Sequence, residues 1–206
     1  LENWGATEWS SDKYKRNIYG TPSDSCGDYA WIQHMICSMV SGQGRMAVVM
    51  PQGILFRNQE TEIRKQLVES DLIEAVVTLG DKLFYGTGLS PCFLIIRRMK
   101  PAHHFGRILM IDGSKILTQK RAQNILEEND IDRLYSLYQN YSDEEDYSRI
   151  VTLQEIRDKE YNLSPNRYVV YHKEEIRPYA EVLAEFKHAY EEVKRLEEEF
   201  SLLINA

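Results

Sequence analysis

The chain has 206 residues, 43% of them hydrophobic, which is enough for one domain with a buried core and an appendage. The mean hydropathy of -0.48 and the 28% of charged residues exclude an integral membrane protein. No apolar run approaches the ~20 residues of a membrane span. The formal net charge of -7 argues against a free nucleic-acid-binding domain, because such domains are usually basic.

The cysteines and the first residues bear on where the protein works. Cys26, Cys37 and Cys92 are odd in number and lack CxxC spacing, which indicates reduced thiols. The polar start LENWGATEWSSDKYKR has no apolar segment of the kind found in signal peptides. We therefore predict a cytoplasmic protein with no membrane association. The first residue is Leu rather than Met, which indicates a piece of a longer protein or a processed one.

The first 21 residues are polar and aromatic without a sustained period, which predicts a loop anchored by Trp4, Trp9 and Tyr14. The segment YAWIQHMICSMV follows with apolar residues at helical spacing, and this helix is expected to stop at Gly42. The predicted buried face of the helix consists of Trp31, Ile32, Met35, Ile36, Met39 and Val40.

Three short runs rich in Val, Ile and Leu organise the middle of the chain: Met46–Met50, Ile73–Leu79 and Cys92–Ile96. Such runs are typical of strands covered on both faces. An amphipathic segment between the first two predicts a helix with Asn58 as its cap. Strand, helix and strand predict a crossover unit and a mainly parallel sheet. The Gly-rich segment GDKLFYGTGLSP cannot form a helix, so the third strand is expected to return antiparallel beside the second.

The later part of the chain alternates in the same way. The predicted elements are a strand at Arg107–Gly113, a helix from Ile125 to Tyr138, either continuous or broken near Asn129 and Asp130, a short helix at Leu153–Asp158, a strand at Arg167–Tyr171 and a long helix at Pro178–Leu203. The long helix has an apolar stripe that needs a partner surface, which can be its own core, a second copy or another protein. The stripe contains Tyr179, Leu183, Phe186, Tyr190, Val193 and Phe200.

Two segments follow the carboxyl ends of predicted strands, where open α/β sheets bind their ligands. They are Pro51–Phe56 after the first strand and Gly80–Gly88 after the second. Phe84 and Tyr85 lie between glycines in the second segment and suit stacking on a flat ligand. The alternative is inward packing, which we expect for Leu83 and for one of the two rings.

Basic residues concentrate between Arg97 and Arg121, where Asp112 is the only acid. This local excess permits a phosphate contact, for which Arg97, Arg98 and Lys100 are the candidates. A solvated surface is the alternative for each of them.

Several common motifs are absent from the sequence. It has no P-loop, no GxGxxG after a strand, no HExxH, no GxSxG and no Cys/His set with metal spacing. We read His103 and His104 as a chance surface pair. The residues themselves therefore predict no metal site.

Five segments occur in an order that is more specific than any one of them: GDYAWIQHM, GRMAVVMPQGILFR, ExxIRxxL, LIEAVVTLxxxLFYGTGLSPCFLII and YNLSPNRYV. Together, from about Trp4 to Tyr171, they resemble the modification (methyltransferase) subunit of type I restriction–modification systems, which are N6-adenine DNA methyltransferases. The resemblance implies an α/β fold: the C-terminal half of a Rossmann-like S-adenosylmethionine-dependent methyltransferase sheet, with its last strand inserted antiparallel. The implied divisions are residues 1–112 for this half, 113–172 for an α/β extension with loops and 173–206 for a helical assembly segment.

The same resemblance implies transfer of a methyl group from S-adenosylmethionine to N6 of an adenine flipped out of the duplex. The family's glycine-rich cofactor loop and its Asn-Pro-Pro-aromatic motif are not in this sequence and are expected upstream of Leu1. The cofactor is thus expected to bind mainly to that missing half, and this chain alone is expected to be inactive with no catalytic residue of its own. Phe84, with Tyr85 as second choice, is implied as the platform for the flipped base. The residues implied to shape the pocket are Pro51, Gln52 and Gly53.

The implied partners are DNA, a specificity subunit and, in the full complex, a second modification subunit and a restriction subunit. The C-terminal helix is the natural candidate for docking the specificity subunit. One competing hypothesis is a non-catalytic assembly module that acts through this helix. Another nucleotide-binding α/β enzyme is disfavoured by the absence of a phosphate loop.

Overall fold

The computed structural model describes residues 4–172 and 178–204, with side chains up to Ser201 in the second range. The strands are β1 (Arg45–Pro51), β2 (Ile73–Leu79), β3 (Pro91–Arg97), β4 (Arg107–Gly113) and β5 (Ser148–Thr152). The α-helices are α1 (Ala6–Ser10), α2 (Asp28–Ser38), α3 (Thr61–Glu69), α4 (Glu128–Asn140), α5 (Leu153–Asp158) and α6 (Tyr179–Ile204). The chain divides into two units, Leu1–Tyr171 and His172–Ala206, so the predicted division at residue 112 lies inside the first unit.

The strands of the first unit form one sheet in the order β1-β3-β2-β4-β5. β3 lies between β1 and β2 and runs antiparallel to both, which confirms the predicted return of the third strand. β2 and β4 are parallel, and β5 is antiparallel to β4. The expectation of a mainly parallel sheet is therefore wrong, because three of the four neighbouring strand pairs in the described residues are antiparallel. β1, β2 and β4 do share one direction, but the inserted β3 separates β1 from β2.

β1 is an edge strand of this sheet, which the sequence did not indicate. Met46 and Val48 pack against the core and Met50 is buried, but Val49 is 44% exposed. The three apolar runs were expected to be covered on both faces. For β1 this expectation is wrong, and for β2 it is confirmed, because all seven residues of β2 are buried. Within the described residues, the outer backbone edge of β1 pairs with no other strand, as an edge strand leaves its N–H and C=O groups free.

Helices cover both faces of the sheet. One face carries the larger core, to which α2, α3 and α5 contribute, and α4 packs on the other face. The buried residues of α2 are Tyr29, Ala30, Ile32, Gln33 and Ile36. The predicted face of this helix is wrong at Trp31, which is 59% exposed, and at Val40, which lies beyond the end of the helix at Ser38 and is 70% exposed. Gln33 is buried because its amide bonds the Tyr19 N–H (2.7 Å) and the Gly20 carbonyl (2.9 Å).

Other predicted elements differ at particular places. The predicted N-terminal loop contains the short helix α1. The helix expected from Ile125 begins at Glu128, since Ile125 pairs with Thr118 in an isolated bridge. The strand predicted at Arg167–Tyr171 is wrong, because a 3-10 turn occupies Pro165–Arg167. β5 was missed because its sequence is short and half polar, and it becomes a strand by pairing with β4.

The second unit contains α6, whose 26 residues confirm the predicted long helix. Large apolar side chains on it remain exposed, among them Phe186 (65%), Tyr190 (53%) and Phe200 (65%). No helix in the described ranges combines the length and the apolar character needed to cross a membrane.

The carboxylate of Asp112 joins the end of β4 to the last residue of the first unit. One of its oxygens accepts hydrogen bonds from the Thr78 hydroxyl (3.2 Å) and the Ser114 N–H (3.0 Å), and the other accepts one from the Tyr171 hydroxyl (2.5 Å). Burial opposes the charge, but the hydrogen bonds from Tyr171, Ser114 and Thr78 prevail and hold the pKa of Asp112 below its usual value of 3.8.

Replacing Tyr171 with phenylalanine should lower the free energy of unfolding by about 1.5–3 kcal/mol at pH 7, the range for a hydrogen bond to a charged group. The depressed pKa means that the stabilising charge of Asp112 is present above pH 3.8 and is lost as the pH falls through the lower value of the folded state. Urea denaturation of wild-type and Tyr171→Phe chains should therefore show a gap at pH 7 that narrows below pH 3.8. A gap that does not change with pH would contradict this account.

Candidate functional site

One side chain, that of Gln52 directly after β1, is bonded to the carboxyl end of β2 and to the first residue of the antiparallel β3. The Gln52 amide donates hydrogen bonds to the Leu79 carbonyl (3.0 Å) and the Pro91 carbonyl (3.2 Å). Pro51 is exposed at the end of β1, and Gly53 follows it in a 3-10 turn against the Arg57 side chain. Gln52 therefore ties together the strand ends at the edge where a pocket was expected.

The segment Gly80–Gly88 starts at this edge and is braced by residues that the sequence analysis did not single out. Asn124 donates hydrogen bonds from its backbone to the Lys82 carbonyl (3.0 Å) and from its side chain to the Asp81 carbonyl (3.1 Å). Gln123 donates to the Leu83 carbonyl (3.0 Å). No sequence pattern pointed to these contacts, because they join positions about forty residues apart through backbone carbonyls.

Gly80 is needed at the base of this loop. A Cβ atom there would lie 2.2 Å from Leu117 Cδ2 and 2.7 Å from the Ser114 carbonyl oxygen, much closer than real Cβ atoms approach. The chain after β4 is therefore packed directly against the start of the loop, which fixes the direction in which the loop leaves the sheet.

Both aromatic rings of this loop face solvent. Phe84 is 49% exposed and Tyr85 is 93% exposed. Leu83 packs against the second core, as expected, but the expectation that one ring also packs inward is wrong for Tyr85 and only half met by Phe84. The loop that follows the carboxyl end of β2 therefore carries two exposed rings on a base that is held by hydrogen bonds.

The three predicted phosphate contacts already have partners within the fold. Arg97 pairs with Glu74 (3.1 Å), and Arg98 donates to the Ile36 carbonyl (2.7 Å). Lys100 is 3% exposed and bonds Asp71 (2.6 Å), so it is not accessible to a phosphate and its prediction is wrong. The basic stretch in the sequence does not form one basic surface.

A buried charge cluster lies at the amino end of β2, away from the carboxyl edge. It includes His104, which the sequence analysis misread. Glu74 is 2% exposed and accepts hydrogen bonds from Arg97 (3.1 Å), His104 Nδ1 (3.0 Å) and the Tyr138 hydroxyl (2.8 Å). The His104 ring stacks on Tyr141 with centroids 3.4 Å apart. His104 is buried, so the reading of it as a surface residue is wrong. Its partner Glu74 lies thirty positions away along the chain, which is why the sequence did not reveal the pair.

A second group of titratable residues already has a cationic partner within the fold. Cys26, Asp28 and Glu60 place one ligand atom each within 4.8 Å of one another. The Arg57 guanidinium bonds both carboxylates, so a cation of the fold itself already pairs with this group. Burial raises the pKa of Glu60 above its usual value, and Arg57 opposes that shift.

The comparisons with known proteins agree with this architecture. Residues 2–176 match the family model described as N-6 DNA Methylase. The chain belongs to the N-6 DNA methylase family.

Relatives of this N-6 DNA methylase chain are named as subunits of restriction enzymes. It is 35% identical over 213 residues to the type I restriction enzyme MjaVII methylase subunit of Methanocaldococcus jannaschii, a match that covers 95% of this chain and 36% of that protein. It is 31% identical to the HindI methylase subunit of Haemophilus influenzae, over 75% of this chain and 36% of the relative. The chain therefore spans about a third of the length of these curated relatives.

A solved methyltransferase subunit of a type I restriction–modification system from Streptococcus thermophilus superposes with a TM-score of 0.74. The match has 28% sequence identity and covers 82% of this chain and 36% of that one. The EcoKI M protein, at 17% identity and a TM-score of 0.55, shares the fold. The predicted fold class, part of a methyltransferase α/β sheet, is confirmed.

N-6 methylases use S-adenosylmethionine, so the described residues can be tested for a fit to it. At the carboxyl edge the Gln52 amide is already bonded to two carbonyls, and the loop offers ring faces rather than a converging set of donors. These residues do not by themselves fit as the cofactor site.

Proposed function

We propose that this chain is part of the modification subunit of a type I restriction–modification system and supplies the wall on which a flipped adenine stacks. The observation that supports this role is the pair of exposed rings, Phe84 and Tyr85, on a braced loop at the carboxyl edge of a sheet of the N-6 DNA methylase family. The enzyme as a whole would be an adenine-specific DNA methyltransferase.

The rings suit this role for a physical reason. Enzymes that modify a base inside a duplex first rotate it out of the stack, which costs a few kcal/mol of stacking and pairing. A ring face that accepts the base recovers about 1–3 kcal/mol. Phe84 is half exposed and half supported, so it can present a fixed face, whereas the 93% exposed Tyr85 has little support. Phe84 is thus the first choice for the platform.

The open edge of β1 supports the view that the chain works with further sheet structure. Val49 is 44% exposed on that strand, and the strand's outer backbone groups have no strand partner within the described residues. About two thirds of each relative lies outside the part that matches this chain, and a strand from such a part could pair with the open edge of β1. We propose that the residues beyond this third bind S-adenosylmethionine and supply the catalytic groups, so that the present chain alone transfers no methyl group.

The exposed stripe on α6 supports a role in assembly. Its apolar side chains would be costly to leave in water in a working complex. We propose that it docks the specificity subunit, within a cytoplasmic complex on DNA that also contains a second modification subunit and, in the full enzyme, a restriction subunit. The side chains assigned to this contact are Tyr179, Leu183, Phe186, Tyr190, Val193 and Phe200.

The base platform can be tested in the complete subunit, assembled with its specificity subunit, by measuring methyl transfer to duplex DNA. Phe84→Ala should lower kcat/KM by about 5- to 150-fold, the equivalent of 1–3 kcal/mol of stacking. With 2-aminopurine in place of the target adenine, wild-type enzyme should quench the flipped base by stacking and the variant should leave it brighter. Phe105→Ala is the matched control, because Phe105 is 56% exposed and lies before β4 at the opposite edge.

Equal kcat/KM values for Phe84→Ala and Phe105→Ala would contradict the platform. Loss of activity on Tyr85→Ala but not on Phe84→Ala would transfer the role to Tyr85. Methyl transfer by the 206-residue chain alone would contradict the division of labour proposed here.

A further inference from the structure

A groove of about 950 Å³ lies between the start of α3 and the turn that follows α5. Phe56, Asn58 and Lys65 line one side, and Lys159 and Arg167 line the other. The helix that follows a strand begins at the carboxyl end of that strand, so the start of α3 places this groove toward the edge that carries Phe84.

The groove is basic although the chain as a whole has a net charge of -7. Its cationic lining residues are Arg64, Lys65, Arg157, Lys159 and Arg167, against the acids Glu62 and Glu160. Amide and hydroxyl groups from Asn58, Asn166 and Ser164 add neutral hydrogen-bonding groups. Cations mixed with neutral donors are the groups that contact phosphate and sugar oxygens in DNA complexes.

Two of the five cations are used by the fold itself. Arg64 is 1% exposed and bonds backbone carbonyls, and Arg157 forms a two-pronged ion pair with Glu69 (2.6 and 2.8 Å). The other three lie at the surface of the groove, where the Lys159 ammonium also donates to the Arg167 carbonyl and lies over the Tyr168 ring. The Lys65 side chain is 45% exposed with its nitrogen 3.9 Å from Glu62, and Lys159 and Arg167 are exposed.

The turn that carries Lys159 is held in an unfavourable backbone conformation. Glu160 and Tyr161 follow it with φ angles of +55° and +57°, in the left-handed region that non-glycine residues rarely adopt. Contacts keep the turn in place: Arg64 Nε donates to the Tyr161 carbonyl (2.7 Å), and the Tyr161 hydroxyl donates to Glu69 (3.0 Å). Strain of this kind persists where the surrounding structure enforces it, and it is concentrated at binding sites.

We infer that this groove binds the sugar–phosphate backbone of the DNA duplex outside the base pocket, with Lys65, Lys159 and Arg167 as the phosphate contacts. The inference rests on the proposed DNA methyltransferase function. It assigns the phosphate contact to this groove instead of to Lys100, which is buried. An acidic segment of a partner protein is the alternative occupant. The family membership and the neutral donors among the cations favour DNA.

The test uses the complete subunit assembled with its specificity subunit and a fluorescein-labelled duplex of random sequence. Each phosphate contact contributes about 0.9 to the slope of log affinity against log salt, so between about 50 and 200 mM salt it accounts for roughly a 3.5-fold loss of affinity. Over that salt range the fold-loss of affinity of the double variant Lys65→Gln/Arg167→Gln should therefore be smaller than that of wild type by a factor of roughly 12. The control Arg45→Gln/Arg107→Gln removes two exposed cations at the opposite edge and should keep the wild-type slope.

A second measurement does not depend on substitutions. Bound duplex should protect Lys65 and Lys159 from acetylation, as read by mass spectrometry, and should leave the exposed Lys13 reactive. Unchanged acetylation, or equal salt slopes for the groove variant and the control, would overturn the inference while leaving methyl transfer intact. A groove variant that keeps its salt slope but releases the specificity subunit would identify a protein contact and would also overturn it. Absence of methyl transfer by the wild-type assembly would instead contradict the proposed function.

Discussion

Replacing Arg64 with methionine should lower the free energy of unfolding of the chain by about 3–5 kcal/mol, near the upper end for a single substitution. The side chain is 1% exposed, and its guanidinium donates to the Tyr161 carbonyl (2.7 Å), the Arg57 carbonyl (3.0 Å) and the Thr61 hydroxyl (3.1 Å). Methionine fills similar space but removes the donor from three half-buried acceptors, and an acceptor left without a partner costs about 1–3 kcal/mol.

Urea denaturation followed by tryptophan fluorescence measures this loss. The variant Arg64→Lys should also be destabilised, because one ammonium group cannot reach acceptors on three sides as the planar guanidinium does. The neighbouring Lys65→Met provides the control, since the Lys65 side chain is 45% exposed and its replacement should change stability by less than about 0.5 kcal/mol. A loss below about 1 kcal/mol for Arg64→Met would show that water replaces the guanidinium.

Replacing Glu74 with leucine should destabilise the chain by about 3–5 kcal/mol, because removing one partner leaves the others of a buried ionic cluster uncompensated. Arg97, His104 and Tyr138 all donate to this carboxylate from β3, the β3–β4 connection and α4. Glu74→Gln should cost less, since the amide keeps the shape and one acceptor. Thermal unfolding of the two variants against wild type measures the difference, and equal losses for both would show that the charge of Glu74 is unimportant.

The pH dependence of this cluster follows from the pKa values of Glu74 and His104, both of which the fold lowers. Burial raises the pKa of Glu74, but the hydrogen bonds from Tyr138, His104 and Arg97 outweigh it and bring the pKa below the usual 4.5. Burial lowers the pKa of His104 below the usual 6.5, against the pull of Glu74. In both cases the unfolded chain binds the proton more readily, so stability should fall as the pH drops below 6.5 and again below 4.5. The gap between wild type and Glu74→Leu should be full at pH 7 and should narrow below pH 4.5.

Local pattern was enough to predict several elements. The three runs rich in Val, Ile and Leu are β1, β2 and β3, and the strand expected at Arg107–Gly113 is β4. The short helix expected at Leu153–Asp158 has those bounds as α5. Two adjacent features decide α5: its Thr152 side chain caps the Glu155 N–H, and the Glu155 side chain bonds the Thr152 N–H in return. Such features lie within a few residues of one another, so they are visible in a linear sequence.

The position of the candidate base-platform loop was predictable from the sequence, but the contacts that support the loop were not. Glycines around two aromatic residues after a buried strand were sufficient to select Gly80–Gly88, and the exposure of both rings is a finding of the structure. The bracing by Gln123 and Asn124 and the exclusion of a Cβ at Gly80 were not predictable. They depend on which distant backbone groups come close once the chain after β4 folds against the loop.

The sequence by itself determined that the chain is an α/β protein, where its buried strands lie, that β3 turns back beside β2 and which loop carries the aromatic rings. These properties follow from hydrophobic runs, glycine-rich connections and caps, all of them short-range. Only the tertiary structure decided that β1 is an open edge, that Lys100 and His104 are buried and that exposed cations gather in the groove between α3 and the turn after α5. The reason is that burial and charge pairing depend on neighbours tens of residues away, such as Glu74 for His104 and Asp71 for Lys100.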